Sequence, residues 1–129
     1  MTLLLDTCVW VRSRVEPHGL PSEVRTLLSD PTAVFGLSAI SIWEIAKLAE
    51  KGRFKPDRDI LAWIHEALVP TLVVLPITPE IAVESTRLPN FHADPADQLI
   101  AATARIHRLR LITPDGLIQR SGSVPCLWS

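Results

Sequence analysis

Acidic side chains recur where a predicted strand ends or a predicted helix begins. Asp6 follows the apolar run "TLLL", and Asp115 follows the apolar run "LRLIT". Glu44 and Asp97 lie near the starts of two predicted helices. In a parallel α/β sheet the ends of the strands and the starts of the helices that follow them meet at one edge. The sequence therefore predicts that these four carboxylates form one cluster.

Such a cluster indicates metal chemistry. Neighbouring carboxylates repel one another by roughly 1–4 kcal/mol per close pair at the dielectric constant of a protein surface. A bound cation removes that repulsion, and Mg²⁺ and Mn²⁺ prefer oxygen ligands. Because no His or Cys residues are clustered in the sequence, these ions are favoured over zinc. A metal site of this kind is suited to the hydrolysis of phosphodiester bonds.

Each acid also has a structural interpretation. "SIWE" fits a capping box, in which Ser41 and Glu44 bind backbone amides at the start of a helix. In "DPAD", Asp94 is the expected N-cap, followed by a proline at the first helical position. Asp6 and Asp115 are also plausible turn residues. The pattern alone leaves both interpretations open, and they are compatible for the Asp94–Asp97 pair.

The elements that must position these acids alternate along the chain. Short apolar runs predict strands at 2–5, 33–37, 71–75, 109–113 and 124–128. Helical patterns cover 20–30, 41–52, 57–68, 78–88 and the stretch that contains "DPADQLIAATARIH", with Ser22, Ser41 and Thr78 as N-caps and Gly52 past a helix end. Apolar strands separated by helices predict an α/β fold, with a short central parallel sheet covered by helices on both faces. We expect residues 1–129 to form a single domain.

Composition narrows the functional classes. The chain has 129 residues, of which 47% are hydrophobic and 21% charged, and its net charge of −1 shows no basic surplus. No apolar run approaches the ~20 residues that span a bilayer, and "MTLLLDTCVW" does not resemble a secretory signal. Cys8 and Cys126 lack metal-site or disulfide spacing and are expected to be reduced core thiols. We therefore expect a cytoplasmic protein with no membrane association.

Four segments together resemble a known family. "LLLDTCVWV", "SAISIWEIAKLAEKGRF", "HADPADQLIAATA" and "RLITPDGLI" occur in the order found in PIN-domain proteins, and the chain is most similar to the VapC-type toxin ribonucleases of toxin–antitoxin pairs. The resemblance covers essentially the whole chain. It implies a metal-dependent endoribonuclease, the toxin of a type II (VapBC-like) pair, that hydrolyses RNA with Mg²⁺ or Mn²⁺. It also implies a VapB-like antitoxin and a homodimer as partners.

The resemblance assigns roles to individual residues. Asp6, Glu44, Asp97 and Asp115 match the acidic quartet that binds the metal. Asp94 matches a position that is acidic in this subgroup and is expected to cap the helix or support the ligands. Thr113 matches a small hydroxyl residue beside the metal site. Ala96 and Gln98 depart from the family pattern, which has a bulky aromatic and a basic residue there; neither change removes a ligand, although local RNA contacts are expected to differ.

Basic residues near the acids are candidates for RNA contact. Lys47 and Lys51 share a helix face with Glu44, with Arg53 and Lys55 beyond them, and Arg12 follows Asp6. The alternative is a solvated helix face with a Glu44–Lys47 pair worth a few tenths of a kcal/mol. The four tryptophans are expected to fill core or interface space rather than to stack on bases. His92 is expected to make a hydrogen bond at a helix end, with no role as a ligand.

Three other functions are compatible with an α/β domain of this length. A receiver domain requires an aspartate at the end of its third strand, and "TLVVLPITPE" has none. A phosphatase of the haloacid dehalogenase type requires a second aspartate two residues after the first, where this chain has Cys8. A catalytically silent PIN-fold module that binds RNA or protein remains as the alternative, and the intact acidic quartet argues against it.

Overall fold

A five-stranded parallel sheet forms the centre of the protein. The computed structural model describes residues 1–129, and the strand order is β3-β2-β1-β4-β5 with every neighbouring pair parallel. The strands are β1 (Leu3–Leu5), β2 (Phe35–Ser38), β3 (Leu72–Leu75), β4 (Arg110–Ile112) and β5 (Cys126–Leu127). The predicted α/β class and the parallel sheet are confirmed.

Seven α-helices surround the sheet. They are α1 (Thr7–Val15), α2 (Ser22–Leu28), α3 (Ala39–Glu50), α4 (Ile60–Ala67), α5 (Pro79–Glu84), α6 (Pro95–His107) and α7 (Gly116–Ser121). The sequence patterns predict no element at α1 and only a turn at the start of α7. Each follows an aspartate that caps it, Asp6 for α1 and Asp115 for α7. No helix in the structure has the length and apolar character needed to cross a membrane.

Two hydrophobic cores lie on opposite faces of the sheet. Successive side chains of a strand point to opposite faces, so Leu5 packs into one core with Trp10 and Ile45, while Leu4 packs into the other with Ile100. Trp10 is fully buried. Its indole nitrogen donates to the carbonyl of Ala67 at 2.9 Å, and its ring lies 5.6 Å from that of Trp63. The core role expected of tryptophan is confirmed at these two positions, whereas Trp43 is 54% exposed and lies outside the core.

Helix α3 begins earlier than predicted. Ser38, the last residue of β2, is its N-cap, and its hydroxyl accepts a hydrogen bond from the amide of Ile40 at 3.2 Å. The prediction that Ser41 caps this helix is wrong, because β2 leads directly into α3 and leaves Ser41 buried inside the first turn. Ser22 is likewise the first residue of α2 and not its cap. Thr78 caps α5 as predicted, through the amide of Ile81 at 3.2 Å.

Candidate metal centre

One cleft contains all four acids that the sequence predicted to cluster. It has a volume of about 520 Å³ and lies at the carboxyl edge of the sheet. Asp6 directly follows β1, Asp115 follows β4, and the other two acids project from α3 and α6. The four acids are thus Asp6, Glu44, Asp97 and Asp115, and Asp94 also lines the cleft.

Asp6 is the most buried of the acids, at 7% exposed. Its Oδ1 accepts the amide of Thr7 at 2.8 Å, and its Oδ2 accepts the hydroxyl of Thr113 at 2.6 Å. Burial raises the pKa of Asp6; the Thr113 hydrogen bond opposes that rise, and the charge of Asp115 adds to it. The structure thus places Thr113 beside the site, as predicted. Cys8 also borders the cleft, but burial raises the pKa of its thiol to about 12, so it remains protonated.

Glu44 is held by a hydroxyl that the sequence analysis missed. The Oγ1 atom of Thr7 lies 2.5 Å from Oε1 of Glu44 and 2.8 Å from Oγ of the buried Ser41. A threonine hydroxyl carries one proton. Since the carboxylate can only accept, Thr7 donates to Glu44 and Ser41 donates to Thr7. The capping-box interpretation of Glu44 is therefore wrong, and the signal for Thr7 was its position directly after Asp6.

Asp97 is held from two sides at the start of α6. Its amide donates to Oδ1 of Asp94 at 3.1 Å, which confirms Asp94 as the N-cap. Its Oδ2 lies 2.8 Å from Nε2 of His92, whose ring stacks on Phe91 at 4.7 Å. Burial raises the pKa of Asp97 to about 6, with the His92 hydrogen bond opposing the rise and the charge of Asp6 adding to it. The hydrogen bond expected of His92 is therefore made to the Asp97 carboxylate.

Asp115 serves two purposes at the end of β4. Its Oδ1 accepts the amides of Leu117 at 2.8 Å and Ile118 at 3.3 Å, which caps α7. Its Oδ2 makes no hydrogen bond within the protein. One ligand atom from each of His92, Asp97 and Asp115 lies within 4.8 Å of the other two. Asp115 is therefore the N-cap of α7 and also lies among the acids of the cleft.

The chemistry of this cleft fits a hard divalent cation. Burial is the first cause that raises the pKa of Asp6, Glu44 and Asp97, and the neighbouring carboxylates raise each pKa further. Without a cation, these groups pay both desolvation and mutual repulsion. Oxygen donors from carboxylates are those that Mg²⁺-like ions prefer. The donor set present can therefore hold such an ion: the ligand atoms that lie within 4.8 Å of one another belong to His92, Asp97 and Asp115, while Asp6 and Glu44 line the same cleft outside that group.

The basic residues that line the cleft are only partly those predicted from the sequence to contact RNA. Arg12 lines it, as does Arg53 from the segment after α3. Lys47 instead pairs with Glu50 at 2.9 Å, and Lys51 is exposed at the end of α3; neither lines the cleft. Lys47 is one turn from Glu44 but makes no ion pair with it. Of the helix face shared by Glu44, Lys47 and Lys51, only Glu44 therefore lines the acidic cleft.

Comparison with known proteins is consistent with this geometry. The model of the PIN domain matches residues 3–121. Ribonuclease VapC22 of Mycobacterium tuberculosis is 38% identical over 117 residues, which cover 88% of this chain and 87% of that protein.

Solved structures share the same fold. A VapBC2 structure from Rickettsia felis, bound to a DNA fragment from its promoter, superposes with a TM-score of 0.74 at 17% identity over 100% of both chains. FitAcB from Neisseria gonorrhoeae gives a TM-score of 0.67 at 24% identity over 98% of this chain and 96% of its own. Taken with the match to the family model, the sequence relative places the chain in the PIN-domain family, as a protein of the VapC type.

Proposed function

We propose that this protein is a metal-dependent endoribonuclease and the toxin of a VapBC-like toxin–antitoxin pair. The observation that carries the proposal is the fixed orientation of four carboxylates in one cleft of a PIN domain. The 38% identical relative named as a ribonuclease supports RNA as the substrate. A silent binding module would have no need to bury these mutually repelling acids.

The residues that would hold the ion are Asp6, Glu44, Asp97 and Asp115, with Mg²⁺ or Mn²⁺ as the expected metal. When bound, such an ion polarises the phosphate and lowers the pKa of a coordinated water. The protein's own part is orientation. Thr113 fixes Asp6, Thr7 fixes Glu44, and His92 fixes Asp97, each through a hydrogen bond of 2.5–2.8 Å.

Because the carboxylates are already fixed around the place for the cation, the site needs no reorganisation as negative charge develops on the phosphate. They also occupy positions from which one of them can take the proton of an attacking water, provided that it is ionised. The cleft contains Arg12 and Arg53 beside the acids, and these are cations that an RNA phosphate can reach. Lys47 and Lys51 are left as weaker candidates for contact with distant parts of the RNA.

The partners and the setting are part of the same proposal. Another solved structure of this fold, from Klebsiella pneumoniae, is described as a toxin–antitoxin complex, which supports a VapB-like antitoxin as a partner of this chain. A homodimer is proposed with it. Cys8 and Cys126 are both free thiols, as a cytoplasmic location requires. The family match to residues 3–121 and the shared central sheet support one domain over 1–129.

The test is cleavage of RNA by the purified chain, free of antitoxin. A pool of structured RNAs is incubated with Mg²⁺, with Mn²⁺ or with EDTA, and the products are mapped. Discrete cuts that need metal and disappear in Asp97→Asn are expected. Glu80→Gln is the matched control, because Glu80 is an exposed acid in the first turn of α5, after a proline, outside the cleft.

Two results would change the assignment. Full cleavage by Asp97→Asn at equal metal concentration would remove Asp97 from the site. Binding of RNA without cutting in every metal would instead support the silent module. Circular dichroism of each variant shows whether the fold is intact.

A further inference from the structure

We propose that Arg53 and Phe54 form a subsite for one unpaired nucleotide of RNA, adjacent to the bond that is cut. The proposal rests on the proposed nuclease function and deepens it, because it specifies the form in which RNA enters the cleft. Phe54 contacts the base, and Arg53 contacts the phosphate. Four observations support this assignment.

First, the end of α3 holds these two residues in place. Gly52 has φ of 71°, a left-handed conformation that glycine adopts without strain. The amides of Arg53 and Phe54 both donate to the carbonyl of Leu48, at 2.8 and 3.2 Å, and the amide of Gly52 donates to Ala49 at 3.1 Å. This is the Schellman pattern of a helix C-terminus. The segment is therefore a fixed extension of the helix that carries Glu44.

Second, the cleft has an apolar wall beside its acidic end. Val11, Ile45, Leu48 and Phe54 line it. The Phe54 ring meets the Trp63 ring edge-on, with centroids 4.8 Å apart, so its position is fixed from the core side. An acidic metal site alone requires no apolar wall. A nucleotide supplies both a flat base and an anionic phosphate, and bases stack well on aromatic side chains.

Third, the cations around Phe54 are available. Arg12 and Arg53 line the same cleft as the acids, and Phe54 also borders a second cleft of about 330 Å³ that is lined by Arg14 and Lys55. None of these four cations forms an ion pair. Arg58, in the second cleft, is by contrast paired with Asp57 and Glu66. Cations without an acidic partner thus lie in both clefts that Phe54 borders, where they can contact successive phosphates of a nucleic-acid strand.

Fourth, the apolar wall favours an unpaired base. A base in a duplex presents only its edge, whereas contact with the wall formed by Val11, Leu48 and Phe54 uses the face of a base. Unpaired nucleotides in loops, bulges and single strands can turn their faces outward. The charge pattern favours this occupant over a peptide, because an RNA strand brings successive phosphates to successive cations.

The experiment measures RNA binding in the Asp97→Asn background, where cleavage does not interfere. A labelled single-stranded oligoribonucleotide is titrated over a series of salt concentrations. Loss of one phosphate contact in Arg53→Ala makes the negative slope of log K against log salt shallower by ~0.7. Phe54→Leu keeps the slope and weakens binding by about ten-fold, as expected for a lost stacking contact. Arg87→Ala, an exposed arginine outside both clefts, serves as the matched control and leaves both quantities unchanged.

An unchanged slope in Arg53→Ala overturns the subsite, as does equal affinity for a duplex of the same sequence. Because Arg53 is exposed, its variant tests the proposal even if Phe54→Leu fails to fold. A chain that binds no oligonucleotide at any salt concentration also overturns the subsite. Cleavage is measured separately, in the chain with an intact Asp97. Cutting that does not depend on Arg53 supports the nuclease and rejects the subsite. Arg53-dependent binding without any cutting supports a nucleotide subsite and rejects the nuclease.

Discussion

The hydroxyl of Thr113 donates to Oδ2 of Asp6 at 2.6 Å, across 107 positions of the sequence. The register of the sheet explains the contact. Leu5 of β1 pairs with Ile112 of β4, and the next residue of each strand is therefore brought to the same edge. The amide of Asp6 extends this pairing by donating to the carbonyl of Ile112 at 3.0 Å. Two adjacent strands thus fix one carboxylate of the cluster before any metal binds.

Thr113→Val tests the importance of that hydrogen bond. The substitution keeps the shape and removes the hydroxyl donor to Oδ2 of the buried Asp6, while Oδ1 keeps its bond from the amide of Thr7. We expect a loss of about 1–3 kcal/mol in the free energy of unfolding at neutral pH, together with a further rise in the pKa of Asp6. Urea denaturation of the metal-free chain measures the first effect. Thr113→Ser keeps the hydroxyl and serves as the control; an equal loss in both variants would show that packing, and not the hydrogen bond, matters.

Much of the fold and the site could be predicted from local patterns. All five predicted strand positions contain a strand. The central strands are apolar because both faces of the sheet are covered there, whereas Val73 and Val74 of the edge strand β3 are exposed. The four acids follow from the rule that strand ends and helix starts share an edge. Asp94 and Thr78 were identified as caps because each precedes a proline at the first helical position.

What failed depended on contacts distant in sequence. Helix α1 carries Val9 and Trp10 in its first turn, so its composition does not distinguish a helix from an extended segment. Ser41 fits a capping box locally, but its hydroxyl is bound to Thr7, 34 positions away. The link from Thr7 to Glu44 and the exposure of Arg53 in the cleft exist only once α1 and α3 pack together.

The pKa of Asp97 predicts a stability that changes with pH. Its ordinary value of 3.8 is raised to about 6 in the folded protein, mainly by burial. The folded state therefore binds more protons than the unfolded state between these values, and stability falls as pH rises through that window. Asp97→Asn cannot ionise, so at neutral pH it is expected to be more stable than the metal-free parent by roughly 1 kcal/mol. Thermal unfolding at neutral pH and below the ordinary value measures the difference.

The difference in stability between Asp97→Asn and its parent should vanish at a pH below the ordinary pKa of Asp97, where this residue is protonated in both the folded and the unfolded state. Glu80→Gln provides the control, since Glu80 is exposed. A parent that is more stable than Asp97→Asn at neutral pH, without metal, would mean that His92 and the backbone outweigh the burial of the charge.

Metal binding should oppose the loss of stability that the ionisation of Asp97 causes. A divalent ion that binds only the folded state stabilises it by about 2.7 kcal/mol at a hundred-fold excess over Kd. Because Asp97 must lose its proton to bind, affinity for Mn²⁺ should fall by up to ten-fold per pH unit below about 6. Calorimetric titration with Mn²⁺ at about pH 5 and about pH 7.5 tests this. Equal affinity at both values would place the ion away from Asp97.

The contact between His92 and Asp97 predicts a dependence of metal affinity on a residue that the sequence analysis did not place in the site. Nε2 of His92 lies 2.8 Å from Oδ2 of Asp97, while its Nδ1 is buried without a hydrogen-bond partner. Partners that orient metal ligands are typically worth 10–100-fold in metal affinity, so His92→Ala is expected to weaken Mn²⁺ binding by about ten-fold. The amide of His92→Gln can reach the position of Nε2 and should restore most of the affinity. If both variants lose affinity equally, and the loss is larger for Mn²⁺ than for Mg²⁺, the imidazole is itself a ligand, because nitrogen donors favour the transition metal.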